Sequence, residues 1–172
     1  MSATDAATAV RPFTISRTFD APLDLVWKAN TEADRLRQWW GPKDAVIAHC
    51  TADVRPGGVF HYGIGLPGGQ IMWGKLTYRE VAEPQTLTYV VSFSDENRGV
   101  TRHPLSPTWP LEILSITTFA ARNGKTTMTT SWVPINATPE EIRTFDEGRE
   151  SMQQGFTGMM DQFGAYLAKA QA

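Results

Sequence analysis

The chain has 172 residues, a formal net charge of -2 and a single cysteine, Cys50. That is the size of one ordinary domain, large enough to bury a real core. The mildly acidic balance argues against a general nucleic-acid or anionic-membrane binder, and one thiol excludes an intrachain disulfide and suits a reducing compartment.

The opening "MSATDAATAV" is small and polar, without a basic region followed by an apolar stretch. It reads as a loose tail over residues 1–11 rather than a signal peptide, ahead of one domain at 12–172. No apolar run approaches the roughly 20 residues of a membrane helix, so the expected location is cytoplasmic. "FTISRTF" (13–19) alternates apolar and polar residues and predicts a strand. Pro22 suits the first turn of a helix through "LDLVWKAN", and a second short helix, "EADRLRQWW", ends at Gly41-Pro42. Trp39 and Trp40 sit about 100° apart on such a helix and cannot share a face. Trp39 is expected to lock the corner into the core, and Trp40, next to the break, to face the mouth of a cavity.

From residue 45 the period changes to two. "AVIAHCTADV", a turn at Arg55-Pro-Gly-Gly58 and "VFHYGIG" predict a hairpin, followed by "QIMWGKLTYREV" and "TLTYVVSF". Residues 94–109 form the longest irregular stretch, of a length that tends to be functional or mobile. "LEILSITTFAA", the turn Asn123-Gly124 and "KTTMTTSWVP" predict a last hairpin. Thr138-Pro-Glu-Glu141 is a capping box. From it one long helix is expected to run to about residue 170, with apolar residues from Ile142 to Leu167 at three- and four-residue intervals. Gly148, Gly155, Gly158 and Gly164 interrupt this helix and imply that bulk is excluded along one face. Strand, two short helices, about six antiparallel strands and a long helix make an α+β architecture.

Familiar chemical motifs are weak. Gly63-Ile-Gly65-Leu-Pro-Gly68 matches a dinucleotide-binding string, but it lies between two strands and contains Pro67, so it reads as a hairpin turn. His49 and Cys50 are strand neighbours facing opposite sides and cannot pair as base and nucleophile. His49, His61 and His103 lie on separate segments without ligand spacing, so neither a metal nor a cofactor is expected. Glu112 is the carboxylate of most interest. Facing a cavity it would be a desolvated general acid or base; facing out, the preferred reading, it is ordinary strand solvation. The inward strand faces carry Phe60 and Tyr62, then Tyr89 and Phe93, then Met128 and Trp132. Met152, Phe156 and Met159 of the helix stand opposite, with Phe163 beyond them. An apolar lining with a few hydroxyls, including those of Thr126 and Thr130, has the chemistry of a small-molecule pocket. Met72, Trp40 and Trp109 complete the expected lining, the last two at its entrance.

"FDAPLDLVWKANTEADRLRQWWGP", "DVRPGGVFHY", "WGKLTYREVAEPQTLTY" and "SMQQGFTGMMDQFGAYL" together resemble the START-like, or SRPBCC, superfamily. They are similar, more specifically, to the branch named for homology to the activator of the heat-shock-protein-90 ATPase. Phe156 stands where that family usually has tryptophan. The resemblance covers roughly residues 12–170 and implies a helix-grip fold: a curved antiparallel sheet of about seven strands around a long C-terminal helix, with a cavity between. It implies a small hydrophobic or amphipathic ligand as partner. The alternatives are a cyclase- or hydrolase-like enzyme using the same cavity, or an interaction protein linked to a chaperone. A homodimer stays open.

Overall fold

The computed structural model describes residues 10–172; of the expected tail, residues 1–9 lie outside the described residues. Strand β1 (Phe13–Phe19) leads into helices α1 (Leu23–Thr31) and α2 (Ala33–Trp39). Strands β2 (Val46–Ala52), β3 (Val59–Gly65), β4 (Ile71–Ala82), β5 (Thr86–Ser94), β6 (Val100–Thr101), β7 (Glu112–Arg122) and β8 (Lys125–Ile135) follow. Helices α3 (Pro139–Glu147) and α4 (Arg149–Ala170) close the chain. The sheet runs β1-β8-β7-β5-β4-β3-β2, every pair antiparallel, with β6 added beside β5. This is the α+β architecture that the residue pattern predicts and the helix-grip fold that the family resemblance implies, the two-residue β6 being the extra strand inside the irregular 94–109 stretch.

Alternation decides which side chains enter. Ile113, Ser115, Thr117 and Phe119 of β7 are buried, whereas Ile116 and Thr118 between them are exposed. On the opposite face of β1 and β8, hydroxyls pair across the strands: Ser16 with Thr129 at 2.8 Å and Thr18 with Thr127 at 2.7 Å. Such a face tolerates water, while the concave face must be covered. The helices cover it.

The expected single C-terminal helix is broken in two. Its start is as anticipated: the Glu141 amide donates to Thr138 Oγ1 at 3.1 Å, and the Thr138 amide donates to Glu141 Oε1 at 2.9 Å. The break falls at Gly148, whose φ of -87° and ψ of 6° leave the helical region. Its amide is satisfied by the carbonyls of Thr144 and Phe145, both at 3.1 Å. A Cβ there would sit 3.3 Å from both the Trp109 ring and the Thr144 carbonyl oxygen. Of the four helix glycines this one therefore meets the expectation that bulk is excluded. Gly155 does not, since a Cβ at that position would meet nothing within 4 Å. Helix α4 alone has 22 residues and is about 33 Å long.

Two apolar clusters hold the layers together. The larger gathers Phe19, Val26, Trp27, Trp39, Phe60, Leu76 and Phe163 beneath α1, α2 and the second half of α4. The smaller joins Phe13, Ile113, Phe145, Met152 and Phe156 near the start of α4.

Candidate functional site

The corner after α2 places two indoles differently. Trp39 is 2 % exposed; its Nε1 donates to the Ala29 carbonyl at 2.9 Å and its ring packs 4.2 Å from Phe163. Trp40 is half-buried and stands edge-on to Phe60 at 5.2 Å and to Tyr62 at 5.7 Å. Gly41 follows with φ of 106°, a conformation that side chains disfavour, so the chain turns there. From α4, Gln162 reaches back to this corner: its Nε2 donates to the Gly41 carbonyl at 3.1 Å, and its Oε1 accepts from the Asp44 amide at 3.0 Å.

Behind the corner, between the sheet and α4, lies a cavity of about 610 Å³. Trp40, Tyr62 and Met72 line one side; Tyr89, Phe93, Met128 and Trp132 rise from the strands; Met152, Phe156 and Met159 descend from α4; and Trp109 stands at the edge of the irregular loop. These are the residues expected to share a cavity, with one correction. Phe60 is fully buried and does not line it, because Trp40 and Tyr62 cover its ring. Phe163 likewise belongs to the packed core. Trp132 stands edge-on to Phe156 at 4.9 Å. Tyr62 fits only because Gly74 on the neighbouring strand has no side chain: a Cβ there would lie 2.5 Å from the phenol oxygen.

The lining is mainly apolar and carries a short run of hydroxyls on the sheet side. The Tyr89 hydroxyl and Thr117 Oγ1 are 3.1 Å apart, and Thr117 Oγ1 and Thr130 Oγ1 are 3.0 Å apart. Asn30 of α1 also lines the cavity, its Nδ2 donating to the Val26 carbonyl at 2.8 Å. Thr126 is outside it, spending its hydroxyl on the Ala21 carbonyl at 2.8 Å. Burial pushes the Tyr62 phenol up to about 12, with the adjacent Trp40 side chain acting in the opposite direction. Burial also raises the Tyr89 phenol, against the hydrogen bonds of Ser115 and Thr117. Both stay protonated at neutral pH and act as neutral hydrogen-bonding groups.

Glu112 does not reach the cavity. It faces the same side as exposed Ile116, while Ile113, Ser115 and Thr117 take the inner face. Cys50 is buried, its Sγ directed to the Ala33 carbonyl at 3.6 Å, and burial raises its thiol despite the opposing Arg37 charge. His49 lies on the other side of that strand, stacked on Trp73 at 4.9 Å. Gly63 and Gly65 belong to β3 and Gly68 to the turn before β4. Among the described residues there is no group of three or more histidine, cysteine or acidic side chains placed to hold a metal ion.

Loop residues supply what periodicity cannot reveal. His103 and Ser106 form an isolated bridge and both line the cavity. The His103 ring packs 4.5 Å from Phe93 and 6.4 Å from Trp109. Arg102 ties the loop to α3 by donating to Glu141 at 2.7 Å, and the Thr144 hydroxyl donates to Thr108 at 2.8 Å. No sequence signal marks these ties. Asn30 was detectable: it sits four residues after Val26, on the buried face of α1.

The same fold recurs in solved structures. Protein Ms6760 from Mycobacterium smegmatis superposes with a TM-score of 0.72 at 23% identity, covering 93% of this chain and 96% of that one. A protein from Silicibacter pomeroyi titled AHSA1 gives 0.71 at 16% identity, covering 93% and 99%. DynU16, from the dynemicin biosynthetic locus, gives 0.66 at 18% identity, covering 92% of this chain and 48% of its own. At these identities the likeness is one of fold. No curated protein matches the chain. No helix among the described residues is long and apolar enough to cross a membrane. Residues 20–168, nearly the whole of the grip and its cavity, match the family described as "Activator of Hsp90 ATPase homolog 1-like protein", and the chain belongs to that family.

Proposed function

We propose that the protein binds a small hydrophobic or amphipathic molecule in the cavity between its sheet and α4. The observation that carries this reading is the cavity itself: about 610 Å³, within the roughly 300–1,000 Å³ usual for small-molecule sites. Its apolar walls would supply affinity by removing ligand surface from water, and the Tyr89, Thr117 and Thr130 hydroxyls would orient what enters. Methionines at positions 72, 128, 152 and 159 favour a site that adapts to varied shapes.

A reaction in the same cavity is the second reading, in keeping with the ligand-binding and polyketide-cyclase-like domains among which the family falls. It is weakened by the outward position of Glu112 and by phenols held protonated. A role as a chaperone-linked interaction protein would require a contiguous exposed apolar surface. Of the six exposed large apolar residues among those described, Val46, Leu66 and Ile71 gather at one end of β2, β3 and β4, while Val100, Leu105 and Ile116 lie on other segments.

Native mass spectrometry of freshly purified protein tests the proposal. A co-purified small molecule released on denaturation is the expected result. A bare chain whose melting temperature also ignores a panel of apolar compounds would refute it.

A further inference from the structure

Asp, Glu, Lys and Arg are absent from the cavity lining contributed by the described residues, which includes one histidine. A charged ligand group carried inside would leave water with no counter-charge to meet it, at a cost of several kcal/mol. Arg102 of the loop and Glu141 of α3 neutralise one another at 2.7 Å and do not line the cavity.

The histidine is His103, and its ring has a defined hydrogen-bonding direction. The Leu105 amide donates to His103 Nδ1 at 2.9 Å. A neutral imidazole that accepts at Nδ1 carries its proton on Nε2. Burial lowers the His103 pKa, so the ring is neutral at neutral pH. The ring is further held by Phe93 and Trp109, both of which line the same cavity. His103 thus carries one N–H donor on a ring that lines a mainly apolar cavity.

Resting on the ligand-binding reading above, we propose that the cavity selects uncharged molecules bearing an accepting oxygen (a carbonyl or an ether), and that His103 Nε2–H is the donor that reads it. His103 is then a specificity residue. Carboxylates are rejected, and simple hydrocarbons bind without using it.

The test is displacement of Nile red, a neutral fluorescent probe, from the full chain at neutral pH. The competitors are decane, methyl octyl ketone and decanoate, matched in carbon number, against wild type, His103→Phe and His103→Gln. The ketone is expected to displace the probe and decanoate to fail. His103→Phe keeps a ring against Phe93 but has no donor, and should weaken the ketone roughly three- to tenfold while leaving decane unchanged. His103→Gln, which retains an N–H, should recover most of the loss. Decanoate competing as well as the ketone would overturn the proposal, as would His103→Phe affecting ketone and decane alike or neither. Should His103→Phe fail to fold, the ketone–decanoate contrast in the wild type decides. If Nile red itself does not bind and no competitor shifts the melting temperature, it is the ligand-binding reading that has failed.

Discussion

Gly155 offers a test in which the sign of the result separates a cavity from a packed core. It lies in α4, lines the cavity, and a Cβ built on it meets nothing within 4 Å. Replacing it by alanine should stabilise the protein by about 1 kcal/mol, through helix propensity alone. Leucine should keep that gain and add about 1 kcal/mol, since its side chain would lie partly buried on the apolar wall beside Phe156 and Met159. The sum is about 2 kcal/mol, which for a chain of this size raises Tm by about 4–8 °C. The same leucine occupies ligand space, so Nile red affinity should fall roughly tenfold, equivalent to about 1.4 kcal/mol. Calorimetric melts and fluorescence titration of wild type, Gly155→Ala and Gly155→Leu measure both. A loss of about 1–3 kcal/mol in Gly155→Leu, the cost of overpacking, would refute the reasoning, as would higher stability with unchanged affinity.

Trp39→Ala should cost about 3–5 kcal/mol by emptying a core site and orphaning the Ala29 contact. Trp40→Ala should cost less, about 1–2 kcal/mol, yet lose Nile red; urea unfolding beside titration compares them. Gly74→Ala should destabilise by about 1–3 kcal/mol by driving a methyl into the Tyr62 ring, and Tyr62→Ala in that background should recover part of it. For Glu141, burial pushes the carboxyl up, but the Thr138 amide and Arg102 outweigh it and leave its pKa below the ordinary 4.5. The folded value being depressed, its contribution is present above the unfolded value and lost as pH falls through the folded one. Urea unfolding of wild type against Glu141→Gln should therefore show a gap at neutral pH that closes under acid, and a constant gap would count against the assignment.

Most of the grip was readable because it is built from long elements with clean periods. In β5 the alternation from Leu87 to Phe93 fixes which residues face α4, and the capping box at Thr138 fixes where α3 begins. The same parity keeps Glu112 out of the cavity and parts His49 from Cys50. Parity failed at Phe60, since facing inward does not tell whether another ring lies on top; here Trp40 does. It has no purchase on residues 95–109, where His103 and Trp109 are placed by turns and by contacts to α3. The break at Gly148 was hidden for a related reason. A helix interior tolerates a glycine, and what singles this one out is an indole packed close to it from a distant loop.

That break divides the cover over the sheet into two differently tethered parts. Helix α3 is fastened to the irregular loop through Arg102–Glu141 and Thr108–Thr144, whereas α4 is fastened to the Trp39–Pro42 corner through Gln162. The loop with α3 and the corner with α4 therefore form two separately tethered assemblies beside the cavity, with Trp109 resting against their common joint at Gly148. Gly148 is thus the one backbone point along this cover at which the tether to the loop and the tether to the corner meet.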